Sequence, residues 1–232
     1  GERRHRAPRR RNAIARGESP DIVFFPSDLF SKHKDKLSFA PPIQITEKEV
    51  TQQYIESAHA FLGPKNEVMG IPLYGDSLIL YFNKDIFTQN LITLPPKTWE
   101  EFLTDAQKMT SKDGSGNILI SGAAMGRASN IDNAPGILAA LLLQSGDEIV
   151  NKEGFVVLGD QPEGSRSSVR PAEGALKFFS EFASPTKAAQ SWSAAFPEAR
   201  EAFTGGRLAM YLGFSNEYAL IKSKNPHLNF GV

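Results

Sequence analysis

The sequence predicts an α/β fold with a largely parallel sheet, and the order of its apolar segments is the main reason. Short apolar runs typical of buried strands, such as residues 78–82, alternate along the chain with segments whose apolar residues recur at helical spacing. Serine or threonine opens several of the helical segments, and glycine closes them. Strands that alternate with helices favour parallel pairing, because each helix carries the chain back across the sheet.

Local signals mark the ends of the elements in the first third of the chain. Pro26 stops an apolar run, because proline cannot donate a hydrogen bond within a sheet. Thr46 and Glu49 form a capping box at the start of an amphipathic segment, and Gly63 ends that segment. The predicted elements here are, in chain order, a strand at 22–25, a helix at 45–63, a turn with a short strand at 66–75, and a strand at 78–82.

Similar signals divide the rest of the chain. Thr98 and Glu101 form a second capping box, and apolar residues follow them at helical spacing. Pro135 suits the first turn of an apolar helix, and Ser215 is expected to cap the last helix. The predicted elements are, in chain order, a helix followed by a turn over 95–117, a strand at 118–125, helices at 133–146, 167–184 and 196–206, a strand at 207–214, a helix at 215–224 and the start of a strand at 228–232.

Charge is distributed unevenly along a chain whose 26 Lys and Arg balance its 26 Asp and Glu. Residues 1–11 carry six Arg against one Glu. Residues 12–232 are therefore mildly acidic, which argues against a nucleic-acid-binding body. The Arg-rich head is expected to be disordered, with a basic nucleic-acid-binding arm as the alternative. The absence of cysteine excludes disulfides, zinc–thiolate sites and thiol catalysis.

Motifs of common enzyme classes are missing from the sequence. The four histidines lack metal-ligand spacing, and there is no phosphate-binding G-x-x-x-x-G-K. Residues 213–217 imitate the nucleophile elbow of serine hydrolases, but Glu217 stands where the sharp turn needs glycine. A carboxylate pair of the glycosidase type stays open, because such pairs form in space. We therefore expect a binding protein with no catalytic residue, metal or cofactor.

Four segments occur in an order and at distances that point to a family. They are GESPDIVFF (17–25), GIPLYGDSLILYFNKDIF (70–87), PPKTWEEFLTDAQKMT (95–110) and AFTGGRLAMYLGFSNEY (202–218). Over residues 12–232 they resemble the family-1 extracellular solute-binding proteins of ABC importers, the maltose-binding-protein-like group. The resemblance implies a two-lobed, type II periplasmic-binding-protein-like fold, with a hinge and a ligand held in the cleft between the lobes.

The resemblance also implies a role, partners and a location. It implies the extracytoplasmic substrate-binding subunit of an ABC importer, which binds a mono- or oligosaccharide and delivers it to permease subunits. We expect a monomer that is either periplasmic or lipid-anchored at the cell surface. The longest apolar run, residues 137–143, is far below the roughly 20 residues that cross a membrane. The Arg-rich head has no apolar core after it, so no export signal is expected within this chain.

The chain departs from the family pattern at both ends. Relatives begin with a strand and a helix before GESPD, where this chain has its Arg-rich head, and the chain stops at LNFGV before the return to the first lobe. We therefore expect an internal fragment, or a gene read with a wrong start, whose first-lobe sheet has an uncovered edge. Its expected parts are a head at 1–11, a partial first lobe at 12–77 up to the hinge, and a second lobe at 78–232 that is truncated at its C-terminal end.

Aromatic residues paired with polar groups are the first candidates for a ligand site. Phe25 and Asp28 follow the strand predicted at 22–25, and ligands of open α/β sheets lie beyond the carboxyl ends of strands. A sugar ring can stack on the aromatic face while the carboxylate accepts hydroxyl hydrogen bonds. The alternatives are that Phe25 is core and that Asp28 caps a short helix. Trp192 lies in a polar linker and is a candidate for ligand stacking, with packing of the lobe as the alternative.

A second group of candidates flanks two predicted helices. Phe214 and Asn216 end a strand and open a helix, at a place where the family carries a ligand-stacking aromatic residue. The alternative is that Phe214 packs in the core and that Ser215 is a helix cap. Asn130 and Asn133 precede the helix of Pro135, and they either donate to a ligand or serve as turn residues.

The predicted hinge supplies the last candidates. Aligned on the family motif, the hinge falls at about residues 74–79, where Gly75 tolerates backbone change. Tyr74 and Asp76 would then face the ligand, and the Asp76 carboxylate would bind hydroxyl groups. The alternative is that Asp76 bonds its own backbone, as aspartate often does in turns.

Two functions from other classes stay open at this stage. An enzyme on the same scaffold would convert a bound sugar, whereas a binding protein returns it unchanged. A ligand-sensing domain of a regulator would bind DNA in a salt-dependent way through residues 1–11.

Overall fold

The computed structural model describes residues 20–151, 155–160 and 170–232. The chain divides into two compact units, of which the first ends at Gly75 and the second is Asp76–Val232. The head at 1–11 and the start of the helix predicted at 167–184 lie outside the described residues. The assignment of residues 12–77 and 78–232 to two lobes stays a prediction.

Short helical segments make up most of the regular structure in the described part of the first unit. The Thr46–Glu49 capping box is confirmed, since the Glu49 N–H donates to Thr46 Oγ1 at 3.3 Å and the Thr46 N–H donates to Glu49 Oε2 at 2.7 Å. Val50, Ala58 and Val68 form a buried core cluster in this unit, and Phe30 is buried as well. The segments are 3₁₀ turns at Ser27–Leu29, Lys34–Lys36 and Glu56–Phe61, helix α1 at Phe30–His33 and helix α2 at Glu47–Gln53.

Three predictions for the first unit are wrong. Residues 22–25 form no strand, and the short strand predicted within 66–75 is reduced to a one-residue bridge at Val68. The helix predicted at 45–63 breaks after Gln53, where Tyr54 takes an extended backbone conformation. A strand forms only where a second strand satisfies its backbone groups. Among the described residues of this unit, the bridge between Leu62 and Val68 is the sole β pairing, so the apolar run at 22–25 has no partner.

A five-stranded sheet forms the centre of the second unit, in the order β2–β3–β4–β1–β5. Among the described residues, only β3 and β4 pair in parallel within this sheet, and its other three pairs are antiparallel. The prediction of a largely parallel sheet is therefore wrong. A tight turn at 113–117 joins β2 to β3, which requires antiparallel pairing, and β1 runs opposite to β4. The strands are β1 Leu78–Asn83, β2 Ser111–Lys112, β3 Ile118–Ala123, β4 Leu208–Phe214 and β5 Phe230–Gly231.

Helices pack on this sheet and share one apolar core with it. The predicted inward face of α4 is confirmed, because Phe102, Ala106 and Met109 are buried. The buried stripe of α6 runs from Ala175 through Phe179 to Phe182 just beyond its end, and Leu176 beside it is exposed. The helices are α3 Lys84–Gln89, α4 Trp99–Met109, α5 Ala134–Gln144, α6 Pro171–Glu181, α7 Ala199–Thr204 and α8 Glu217–Lys224.

The helix ends follow the predicted signals in part. Thr98 Oγ1 accepts a hydrogen bond from the Glu101 N–H at 3.2 Å, but the Glu101 carboxylate reaches one residue further back, to the Lys97 N–H at 2.7 Å, so the box is half formed. Pro135 lies in the first turn of α5, and Gly146 follows that helix with a φ of +84°. No helix in the described ranges combines the length and the apolar character needed to cross a membrane.

Candidate functional site

The candidate site lies at one edge of the second unit's sheet. β3 and β4 run parallel, so their carboxyl ends meet at this edge, and β1 begins there because Leu78 pairs with Phe214. Helices α5 and α8 follow β3 and β4 in the chain and start at the same edge. Ligands of open α/β sheets bind beyond the carboxyl ends of strands. This edge collects four of the predicted residues: Asp76, Asn133, Phe214 and Asn216.

The turn at 214–216 connects β4 to α8, and hydrogen bonds hold it from several sides. The Tyr81 hydroxyl of β1 donates to the Phe214 carbonyl at 2.7 Å and to the Ser215 carbonyl at 3.2 Å. The Ser215 N–H donates to the Ser77 carbonyl at 2.9 Å. Because its backbone groups are occupied, the turn presents its side chains from a fixed frame.

Asp76 ties the start of the second unit to this turn. Its Oδ1 accepts from the Ser215 hydroxyl at 2.5 Å, from the Ser77 N–H at 2.9 Å and from the Asn216 N–H at 3.3 Å. Its Oδ2 accepts no hydrogen bond from any described residue, and that oxygen is available to a ligand. Ser215 does not cap α8, contrary to prediction. Its hydroxyl donates to Asp76, and Asn216 is the N-cap residue.

Phe214 and Asn216 keep surfaces that a ligand could touch. Phe214 is half-buried, and its ring lies over the first turn of α5, where a Cβ on Gly136 would come within 3.4 Å of Cζ. Asn216 is exposed, and its side chain makes no capping hydrogen bond. The ring and the amide therefore belong to one turn, and the carboxylate of Asp76 is hydrogen-bonded to that turn.

Asn133 belongs to a buried polar cluster beneath the turn. Its Nδ2 donates to the Tyr211 hydroxyl and to Glu217 Oε1, both at 2.9 Å. The Tyr211 hydroxyl donates to Glu217 Oε2 at 2.6 Å, and Arg200 Nη1 donates to the same oxygen at 3.1 Å. The Phe214 N–H donates to Glu217 Oε1 at 3.0 Å. The amide nitrogen of Asn133 is thus occupied inside the protein, as the turn-residue alternative implies.

The cluster changes the ionisation of its members. Burial acts to raise the pKa of Glu217, but the hydrogen bonds from Tyr211, Asn133, the Phe214 N–H and Arg200 outweigh it and hold the pKa below its usual range. Burial and the bond to Glu217 raise the pKa of Tyr211. Burial, followed by the charges of Glu217 and Asp76, raises the pKa of Tyr81 to about 12. The carboxylate is therefore ionised at neutral pH, and both hydroxyls keep their protons.

Sequence reasoning missed Glu217, Tyr211 and Arg200 as members of the site. The available signal was the misfit already noted in residues 213–217, where a glutamate replaces the glycine of a nucleophile elbow. An acid at the first position of a helix also interacts favourably with the helix dipole. The partners come from β4, α5 and α7, and only the folded chain brings these elements together.

Trp192 lies in the core of the second unit. Its exposed fraction is 0%, its ring stacks on Phe196 with centroids 4.6 Å apart, and its Nε1 donates to Asn130 Oδ1 at 3.0 Å. Asn130 Nδ2 in turn donates to the Ser193 and Phe196 carbonyls, both at 3.0 Å. These contacts favour the packing alternative for Trp192 and leave neither ring face free for a ligand.

The remaining candidates lie in the first unit. Phe25 is half-buried, and its ring meets that of His33 edge-on at 6.4 Å. Asp28 is exposed and does not cap the 3₁₀ turn, whose N-cap residue is Pro26. Tyr74 is 75% exposed. Their contact with a ligand stays a prediction.

Comparison of the sequence with family models gives one match. The model of the bacterial extracellular solute-binding protein family matches residues 8–232. No curated protein sequence matches the chain significantly. Within the described ranges, no cluster of three or more His, Cys, Asp or Glu could hold a metal ion.

Solved structures similar to this chain have the same fold. A cyclic α-maltosyl-1,6-maltose binding protein from Arthrobacter globiformis has a TM-score of 0.73 at 14% identity, with 97% of this chain and 53% of that chain covered. The maltose/maltodextrin-binding domain MalE from Bdellovibrio bacteriovorus, bound to maltotriose, has a TM-score of 0.66 at 18% identity, with 97% and 53% covered. An ABC transporter solute-binding protein from Thermotoga lettingae, bound with α-D-tagatose, has a TM-score of 0.63 at 22% identity, with 97% and 56% covered. The chain spans about half the length of these proteins.

Proposed function

The chain belongs to the bacterial extracellular solute-binding proteins, and we propose that its protein is the substrate-binding subunit of an ABC importer, with a carbohydrate as the ligand. Binding and release leave the ligand chemically unchanged, so no catalytic residue is assigned. The structural relatives named above are described as binding maltotriose, a cyclic maltosyl saccharide and tagatose, which supports the choice of a carbohydrate.

One observation carries this proposal: the aromatic ring of Phe214 and the amide of Asn216 belong to one rigid turn, and Asp76, which is hydrogen-bonded to that turn, has a free carboxylate oxygen. Phe214 offers an apolar face on which the C–H groups of a sugar ring can pack. Asn216 can both donate to and accept from hydroxyl groups, and Asp76 Oδ2 accepts only. A hydrogen bond from a sugar hydroxyl to an ionised carboxylate contributes about 1.5–3 kcal/mol.

The rigidity of the turn strengthens this argument. Tyr81, Ser77 and Asp76 hold the backbone at 214–216 before any ligand arrives. Ordering a mobile side chain on binding costs about 0.5–1.5 kcal/mol, so a preformed turn loses less of the binding free energy. We place Asp76, Phe214 and Asn216 in direct contact with the ligand, leave Asn133 and Trp192 outside that set, and keep Phe25, Asp28 and Tyr74 as proposed contacts from the first unit.

A thermal-shift screen on this chain tests the proposal. Maltotriose and tagatose serve as probes, with ATP and Mg²⁺ as controls. A ligand present at about 100 times its dissociation constant should add about 2.7 kcal/mol to the free energy of unfolding. Stabilisation by ATP or Mg²⁺, with no response to any carbohydrate in an enlarged saccharide panel, would contradict the proposal.

Location and partners belong to the same proposal. The family is extracellular by its description, which implies that the protein works outside the cytoplasm. We propose that it acts as a monomer, either in the periplasm or lipid-anchored at the cell surface, and that it docks on the permease subunits of its importer.

A further inference from the structure

Glu217 lies directly beneath the turn that carries Phe214 and Asn216. We infer that Glu217 is the positioning residue of the carbohydrate site, which holds the turn and the start of α5 in fixed register; this inference rests on the proposed function. Its carboxylate accepts four hydrogen bonds, and the donors come from three elements: β4, the start of α5, and α7. The donors are the Phe214 N–H at the end of β4, Asn133 at the start of α5, Tyr211 in β4 and Arg200 in α7.

A carboxylate is the side chain that this cluster requires. Each oxygen faces two donors: Oε1 receives Asn133 and the Phe214 N–H, and Oε2 receives Tyr211 and Arg200. An ionised carboxylate only accepts, whereas a glutamine amide would turn its own N–H₂ toward one of the two pairs of donors. Glu217 is only 7% exposed, so water has little access to replace a lost acceptor.

The cluster bears on the ligand site because two of its donors belong to the site's walls. The Phe214 N–H fixes the residue whose ring would contact the sugar, and Asn133 fixes the first turn of α5, over which that ring lies at Gly136. Loss of the common acceptor frees both walls to move apart. The sugar would then have to order them on binding, which lowers affinity without removing any atom that touches the ligand.

Amide hydrogen exchange on the chain tests the inference without a ligand. The variants are Glu217→Gln and Glu217→Ala, so that one informative protein remains if the alanine variant fails to fold. Glu181→Gln makes the same chemical change at a carboxylate whose ion pair with Lys187 is 3.8 Å long and partly exposed. We expect the amides of Phe214 and Asn216 to exchange roughly tenfold faster in the Glu217 variants, with no change in α4 and no effect of Glu181→Gln. Unchanged exchange at 214–216, or equal acceleration in α4, would overturn the inference.

A binding measurement separates a positioning role from ordinary destabilisation. Met109→Ala removes a buried side chain at the end of α4 and serves as a variant that lowers stability away from the site. With maltotriose or tagatose, whichever binds the wild type, we expect affinity to fall about tenfold in Glu217→Gln and to stay unchanged in Met109→Ala. Equal affinities of Glu217→Gln and wild type would overturn the inference even if exchange accelerates. A wild type that binds no saccharide would count against the proposed function, and the exchange experiment would then decide alone whether Glu217 holds the turn.

Discussion

The two units of the chain differ in how much apolar surface they bury. In the described part of the first unit, the buried hydrophobic side chains are Phe30 and the cluster of Val50, Ala58 and Val68, and large residues such as Ile43, at 94% exposure, face solvent. In the second unit, one continuous core takes residues from β1, β3, β4 and each of α3 to α8. Burial of apolar surface contributes roughly 25 cal/mol per Å², so the second unit has the far larger source of stability.

The two units are therefore stabilised by different kinds of interaction. The first unit relies on local devices, such as the capping box of Thr46 and Glu49, which contribute on the order of 1 kcal/mol each. The second unit relies on contacts between segments far apart in sequence, such as the pairing of β1 with β4. Substitutions should therefore have unequal effects in the two units.

Truncation of a core aromatic residue should show the largest effect. Trp192→Ala should lower the free energy of unfolding of the second unit by about 3–5 kcal/mol, because it leaves a cavity and removes the partner of Phe196. Ile43→Ala in the first unit should change stability by less than about 0.5 kcal/mol. Urea denaturation followed by fluorescence and circular dichroism would measure both. A stable Trp192→Ala protein with lost saccharide affinity would instead favour the stacking role.

The contrast between the units also explains which strands the sequence could predict. Residues 22–25 and 78–82 are both apolar runs, yet only the second is a strand, because β4 and β5 lie on either side of it. Local signals predict where helices such as α4 start, but not always where they end, since the helix predicted at 45–63 stops at Gln53. Pairing direction was not predicted, because it depends on how distant segments meet.

The site shows the same division between local and distant information. The turn of Phe214 and Asn216 could be found from its place after a strand and before a helix. The role of Asn133 could not, since its partners Tyr211 and Glu217 lie about eighty residues away in the sequence. Ser215 fits the pattern of a helix cap, but Asp76, from a distant segment, takes its hydroxyl.

Asp76 should show the next largest effect, because it begins the second unit and also faces the proposed ligand. Asp76→Asn keeps an oxygen that can hold Ser215 and Asn216, but it removes the charge. Saccharide binding should weaken by about 1.5–3 kcal/mol, with little loss of stability. Calorimetric titration and thermal melts would measure both quantities.

Ser215→Ala is the matched control for Asp76, since it removes the bond to the carboxylate and keeps the charge. Ser215→Ala should lower the free energy of unfolding by about 1 kcal/mol. An Asp76→Asn protein with normal affinity and reduced stability would make Asp76 a structural turn residue.

Hydrogen exchange should distinguish the two units directly. Amides at 46–62 should exchange on the order of tenfold faster than those at 118–123, since opening the small core around Val50 exposes less apolar surface. The measurement is mass spectrometry of peptides from the whole chain at neutral pH. Slower exchange at 46–62 would show that the burial contrast does not govern stability.

Acidification should produce the smallest effect, and Glu217 is the group in the second unit through which we expect to see it. The pKa of Glu217 is lowered by its hydrogen bonds, so its contribution to stability is complete above the unfolded value of about 4.3 and is lost as the pH falls through the folded value. Burial raises the pKa of the neighbouring Glu198. The Glu198 carboxyl therefore acts in the opposite direction, because its contribution to the free energy of unfolding increases as the pH falls.

Comparison of wild type with Glu217→Gln removes the Glu198 contribution, because both proteins contain it. Urea unfolding between pH 7 and pH 3 should show a steeper loss for wild type than for Glu217→Gln. Parallel curves would mean that the hydrogen bonds to Glu217 do not favour its ionised form.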